Sequence, residues 1–407
     1  MACAWGKRRL AATLLAMLAG GIGLSSCTND SAEQPIDLSQ GVPVGAVLAL
    51  SGNASVYGQD QKIGISLALA AFNAPGGVNG TPLRLSIEDS GSDDPGANAA
   101  MTLQINRGML AIIGPTLSQQ AFAADPIAQR RSVPVVAPSN TATGIPEIGH
   151  FISRVSAASD VIAPLSIAKA VELNPAIRRV AVFYAQDDAY STAETAVFQR
   201  ALTDRGLKPV TVQRTNLADA DFQSQISATL ARKPDLIVLS LQAVDGGNLI
   251  RQLRELGYGG MIVVGNGMNT PNIYPICQKY CDGILIAQAY SPELPTPANR
   301  AFVKAFSAAQ AAGGKGALIP PQLTAQAYTA LQVVGEALQR LDKRQPLKTL
   351  SVVKARKALM DEILAGTYQT PLGEIRFSPE GEVVQTNFFV AQVRMNPSGG
   401  GRFALLP

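Results

Sequence analysis

The sequence predicts an α/β chain made of two doubly wound, Rossmann-like lobes in tandem. Three observations carry that expectation. Apolar runs of strand length alternate with helical periodicity, the alternation falls into two series that part near Arg154, and 407 residues suffice for two ordinary cores. Hydrophobic residues make up 47% of the chain and charged residues 16%, a globular balance rather than a disordered one.

In chain order, the apolar run 42–50 reads as a buried strand. Residues 59–73 follow as a helix, with Ile63, Leu67, Ala70 and Ala71 at i, i+4, i+7 and i+8. Pro75-Gly76-Gly77-Val78-Asn79-Gly80 is a turn, since Gly and Asn tolerate positive φ. Strands at 83–89, 110–114 and 133–137 then alternate with helices at 97–107 and from Ser118 onward. The second series sets helices at 160–173, 191–205, 222–231 and 247–256 against strands at 179–184, 210–214, 236–241 and 261–265. Residues 297–364 are mainly helical, short strands fall near 374–377 and 386–393, and 399–401 is a flexible turn. Two open parallel sheets turn the loops at their strand C-termini toward a shared crevice, a natural trap for a ligand.

The first 27 residues are a targeting segment rather than fold. Lys7-Arg8-Arg9 precedes a small apolar run from Leu10 to Gly23, too short and Gly-rich to span a membrane comfortably. Leu24-Ser25-Ser26-Cys27 resembles the lipobox of bacterial lipoproteins, which implies that Cys27 takes a diacylglyceryl group and becomes the mature N-terminus. Residues 28–41 then form a tether, and localisation in the cell envelope, anchored to a membrane by lipid, is expected. Without the leader the chain carries 31 basic and 30 acidic residues, which gives no electrostatic reason to bind nucleic acid. Cys277 and Cys281 are the cysteines left once Cys3 and Cys27 are set aside; outside the cytoplasm such a pair reads as a disulfide. Two thiols and the single His150 cannot supply a four-ligand zinc site, so no metal is expected.

Several stretches resemble the branched-chain amino-acid (Leu/Ile/Val)-binding protein family, the type I periplasmic binding proteins of ABC transporters. They are Leu50-Ser51-Gly52 with Tyr57-Gly58, the Gly76-Gly77-Val78-Asn79-Gly80 turn with Pro82, and Glu88-Asp89 with Ser92-Asp93-Asp94-Pro95. Ile112-Ile113-Gly114-Pro115 with Ser118, residues 133–139, and Thr370-Pro371-Leu372-Gly373 through Phe377 complete the series. Their order and spacing are more specific than any one of them. The resemblance implies a clamshell joined by a three-strand hinge, with crossings near Arg154, Ala287 and Gly366. Lobe 1 would hold residues 42–155 and 289–366, and lobe 2 residues 156–288 and 367–407. It also implies a small-molecule ligand, permease subunits in the inner membrane as partners, no cofactor, and a monomer.

By position, the resemblance puts a ligand carboxylate on Ser118, Ser139 and Thr141, with Asn140 between the last two. Ser118 opens a helix, where unpaired amides and the helix dipole favour an anion; on residue type alone it would be an N-cap and the others turn residues. Tyr57 and Tyr190 fall where the family sets aromatics against the ligand, though both could be core residues sealing their own lobes. The second lobe departs from the amino-acid pattern. Asn266 stands where a carboxylate often pairs an α-ammonium, and Gln242 where an aromatic is common. Neutral amides there leave room for an amide, a urea-like solute or a carboxylate. Asp245 lies close by, but reads as the start of the next helix.

An enzyme is not expected, because one His permits no His-based triad or metal cluster. The acids Glu88-Asp89, Asp93-Asp94 and Asp187-Asp188 read as solvated loop ends or helix starts. The alternative to transport is a ligand sensor feeding a membrane receptor, which needs the same clamshell.

Overall fold

The computed structural model describes residues 35–314 and 318–407. The leader, the lipobox and Cys27 lie outside the described residues.

The first sheet runs in the order β2–β1–β3–β4–β5, all parallel. Its strands are β1 (Val42–Leu48), β2 (Leu83–Asp89), β3 (Ile112–Ile113), β4 (Val135–Ala137) and β5 (Ile152–Arg154). All seven residues of β1 are buried, as a central strand covered on both faces must be. Between these strands run α1 (Ser55–Asn73), α2 (Asp94–Asn106) and α3 (Ser118–Arg130). Helix α1 packs against the long α10 (Gln322–Arg344), which closes the same lobe with α9 (Pro297–Ala312) and α11 (Val352–Ala365). Gly64 permits that approach, since a Cβ there would stand 2.2 Å from the Thr324 carbonyl oxygen.

The second sheet repeats the plan. Strands β6 (Val180–Ala185), β7 (Pro209–Thr215), β8 (Leu236–Ser240), β9 (Met261–Val264) and β10 (Leu285–Gln288) lie in the parallel order β7–β6–β8–β9–β10. Helices α4 (Ser159–Leu173), α5 (Ala189–Thr203), α6 (Gln223–Leu230), α7 (Ala243–Glu255) and the short α8 (Tyr274–Cys277) flank it. Two antiparallel strands, β14 (Phe389–Met395) and β15 (Gly401–Leu405), extend the edge beside β10. Strand β15 begins at Gly401, the last residue of the expected turn at 399–401, and the turn before it holds Gly399 at φ 86°.

The chain passes between the lobes from β5 to α4, from β10 to α9, and again before β14. The last passage falls later than the sequence suggested. Strands β11 (Tyr368–Thr370), β12 (Gly373–Phe377) and β13 (Val383–Val384) form a small antiparallel sheet. Tyr368, Leu372, Ile375 and Phe377 bury their side chains in the first lobe's core, so this segment stays with lobe 1 and the crossing lies between Val384 and Phe389. The end of the expected tether is also docked. Pro35 pairs with Ser351, and Ile36 is buried in the first core with its amide bonded to the Leu350 carbonyl.

Cys277 and Cys281 are fully buried, with Cα atoms 5.4 Å apart, within the range a disulfide spans. Among the described residues no helix is long and apolar enough to cross a membrane, and no cluster of His, Cys, Asp and Glu could hold a metal ion.

Candidate functional site in the inter-lobe cleft

The loops after β1, β3 and β4 meet those after β6, β8 and β9 across a pocket. Thr116, Leu117, Ser118 and Ser139 line it from the first lobe, and Tyr190, Gln242, Asn266 and Gly267 from the second. Tyr57 and Leu323 reach across from the first lobe and pack within the apolar cluster of the second. The lobes are therefore closed on each other.

On the first side, Ser118 begins α3. The opening amides of a helix have no intrahelical acceptor, so they present partial positive charge to the pocket. Ser118 Oγ accepts from the amides of Thr141 and Ala142, each at 3.3 Å, which leaves its own proton for a ligand oxygen. Ser139 is committed differently. Its Oγ accepts from Gln61 Nε2 at 2.6 Å and donates to the Thr116 carbonyl at 2.6 Å. Gln61 Oε1 in turn accepts from Thr116 Oγ1 at 2.6 Å, so Ser139 lines the pocket without a proton to offer. Asn140 is fully buried and turns its amide to the carbonyls of Pro115 and Thr116, at 3.1 and 3.2 Å. Thr141 is buried behind the pocket wall, and its Oγ1 finds no partner among the described residues.

Tyr57 crosses the cleft. Its hydroxyl donates to the Gly267 carbonyl at 2.6 Å and accepts from the Ala243 amide, the first of α7, also at 2.6 Å. Burial pushes its ionisation well above the usual tyrosine range. Further bonds cross nearby: Asp60 Oδ2 accepts from Asn272 Nδ2 at 3.2 Å and Thr270 Oγ1 at 3.4 Å, and Gln322 Nε2 donates to Asn266 Oδ1 at 3.0 Å.

On the second side, Gln242 stands at the N-cap position of α7 without a side-chain capping bond, and Asp245 falls in that helix's first turn. Behind the neutral amides stand carboxylates that motif position alone does not reveal. Glu194 lies one helical turn beyond Tyr190 on α5 and is fully buried. It accepts from the Tyr190 hydroxyl at 2.6 Å, the Asn266 amide at 3.0 Å and Ser240 Oγ at 2.8 Å. Gly265 makes room for it, because a Cβ there would fall 1.7 Å from Glu194 Oε2. The Tyr190 hydroxyl also accepts from the Gly267 amide at 2.6 Å. Asp188, expected at a solvated helix start, does cap α5 but is buried, and holds Gln242 Nε2 at 3.1 Å.

Burial raises all three acids against the hydrogen bonds that oppose it: Asp188 to about 6, Glu194 to about 7 and Asp245 to about 8. Asp188 raises both neighbours further by like charge. The pocket is thus polarised, with a helix N-terminus on one wall and a carboxylate-rich second wall.

The periplasmic binding protein family profile spans residues 41–401. The chain belongs to that family. This periplasmic binding protein is 24% identical over 388 residues to the leucine-, isoleucine-, valine-, threonine- and alanine-binding protein of Pseudomonas aeruginosa, covering 95% of this chain and 96% of that one. The Leu/Ile/Val-binding protein of Escherichia coli K12 is 22% identical over 293 residues, covering 72% and 77%. Among solved structures, a leucine-binding protein from Thermotoga maritima superposes with a TM-score of 0.78 at 25% identity, over 90% of this chain and 98% of that one. A solute-binding protein from R. palustris in complex with benzoate gives 0.77 at 20% identity, over 90% and 96%. The family is one of small-molecule binders, and the two-lobed α/β fold agrees with it.

Proposed function

We propose that this chain is the lipid-anchored, periplasmic solute receptor of an ABC importer, and that it closes over an amino acid or a close relative. The polarised pocket carries the reading. A ligand carboxylate or carbonyl is met by the Ser118 hydroxyl and the α3 amides. An ammonium or amide is met by Gln242, Asn266 and Tyr190, backed by Asp188 and Glu194. Asp188, ionised at neutral pH, and Glu194, ionised in part, supply the negative potential that Asn266 itself lacks, which favours an α-amino acid over a urea-like solute or a simple carboxylate. Relatives and structural neighbours named for leucine, isoleucine, valine, threonine or alanine, and for benzoate, bracket the same ligand size. Binding and release, rather than catalysis, are what such a pocket performs. The anchor is Cys27, and the Cys277–Cys281 disulfide pins the turn after α8.

A thermal-shift and calorimetry panel of L-leucine, L-threonine, acetamide, urea and benzoate tests the ligand class. An amino acid at 100 times its Kd should add about 2.7 kcal/mol of stability. Stabilisation by benzoate alone, or by none of the five, would overturn the amino-acid reading. Membrane partitioning of a processed Cys27→Ser protein would overturn the anchor.

A further inference from the structure

We propose that Arg154 is a positioning residue that couples the hinge to the ligand loop, through an ion pair with Glu382. Arg154 ends β5 at the first crossing and is 1% exposed, so its charge must be paired to be tolerated there. The partner comes from the turn between β12 and β13, just ahead of the third crossing. Arg154 Nε donates to Glu382 Oε2 at 2.8 Å, and a second guanidinium nitrogen donates to Glu382 Oε1. This is the two-pronged geometry in which arginine binds carboxylate most firmly. The remaining nitrogen donates to the carbonyls of Ala142 at 2.6 Å and Asn140 at 3.2 Å.

The backbone reinforces the junction. The Arg154 amide donates to the Gly381 carbonyl at 3.1 Å, and Gly381 sits at φ 98°, where a Cβ would fall 2.3 Å from the Ile152 carbonyl oxygen. The Ser156 hydroxyl adds a second donor to the Asn140 carbonyl at 2.6 Å. The carbonyls of the residues before and after Thr141, Asn140 and Ala142, are thus gripped from behind. The amides of Thr141 and Ala142 meanwhile face Ser118 Oγ on the pocket wall. A shift of the third crossing moves Glu382, Arg154, the 140–142 loop and the Ser118 hydroxyl in turn. Closure and the geometry of the oxygen-binding wall are then one event. The inference rests on the cleft being the ligand site.

Hydrogen exchange on the full mature chain, with and without L-leucine, tests it. In the wild type, leucine should protect residues 139–142 and 381–384 together. In Glu382→Gln, and in Arg154→Lys, which keeps the charge but loses the fork, loop protection should need roughly tenfold more leucine. The hinge segment should then gain none. Strands β6 and β8 should exchange as in the wild type, which separates positioning from general loosening. Joint protection of loop and hinge in both variants, at wild-type leucine concentrations, would overturn the proposal. If leucine binds the wild type not at all, the amino-acid reading fails on its own. The ligand-free exchange of 139–142 then decides: faster in both variants supports the coupling, unchanged overturns it.

Discussion

Ser118 and Ser139 look equivalent in the sequence, yet their protons go to different places. Ser118 keeps its proton for the pocket, whereas Ser139 gives its own to the Thr116 carbonyl. Ser118→Ala should therefore weaken amino-acid binding by about 1–3 kcal/mol, the cost of a buried oxygen left without its donor. Calorimetry on that variant measures it, and unchanged affinity would remove Ser118 from the site. Tyr57→Phe deletes two bonds that exist only across the cleft, to Gly267 and Ala243. Ligand affinity should fall by about 1–3 kcal/mol per group left unpaired, while the ligand-free, opened protein should melt as the wild type does. Motif position points to Tyr57, Ser118, Tyr190, Gln242 and Asn266, all of which line the pocket, since strand ends and helix starts fix them. It could not bring Glu194. Nothing in the local sequence of α5 says that one glutamate will turn under a loop 72 positions away to hold the Asn266 amide.

The second-lobe loops and helix starts carry a titration signature. Asp188, Glu194 and Asp245 have native values near 6, 7 and 8, above those of the same groups in an unfolded chain. Between about pH 4 and pH 8 the native state therefore binds more protons than the unfolded state, and stability declines as pH rises through that window. Thermal unfolding at stepped pH should show a midpoint that falls between pH 5 and pH 8. Glu194→Gln should flatten the decline, and a midpoint rising from pH 5 to pH 8 would contradict the burial of these acids. At the turn after α8, unreduced protein from the envelope should show Cys277 joined to Cys281 by mass spectrometry. Closing so short a loop contributes about 2 kcal/mol, so two alkylatable thiols would rule out both the bond and that share of stability. The strand–helix alternation was legible because apolar periodicity is local. The β15 strand was not, because its pairing partner β14 decides whether a Gly-flanked tail becomes a sheet edge.

At the scale of the molecule, the two sheets share one strand order, and their C-terminal loops face each other as the alternating sequence implied. The third crossing was misplaced because Tyr368, Ile375 and Phe377 alternate as any half-buried strand does, and alternation does not say which lobe supplies the core. Solution scattering should give a smaller radius of gyration with saturating L-leucine than without, as hinge binders do; identical profiles would mean the lobes do not part. The seat of Tyr57 carries a kinetic corollary. With its ring lodged in the far lobe and both sides of its hydroxyl engaged, no solute can leave until that side chain withdraws. Escape then runs at the pace of withdrawal whatever is inside, so solutes of different affinity should differ in how fast they enter and converge in how fast they leave. That inverts the usual pattern, in which related ligands differ mainly in dissociation. It also gives a permease that pries the lobes apart control over the moment of delivery.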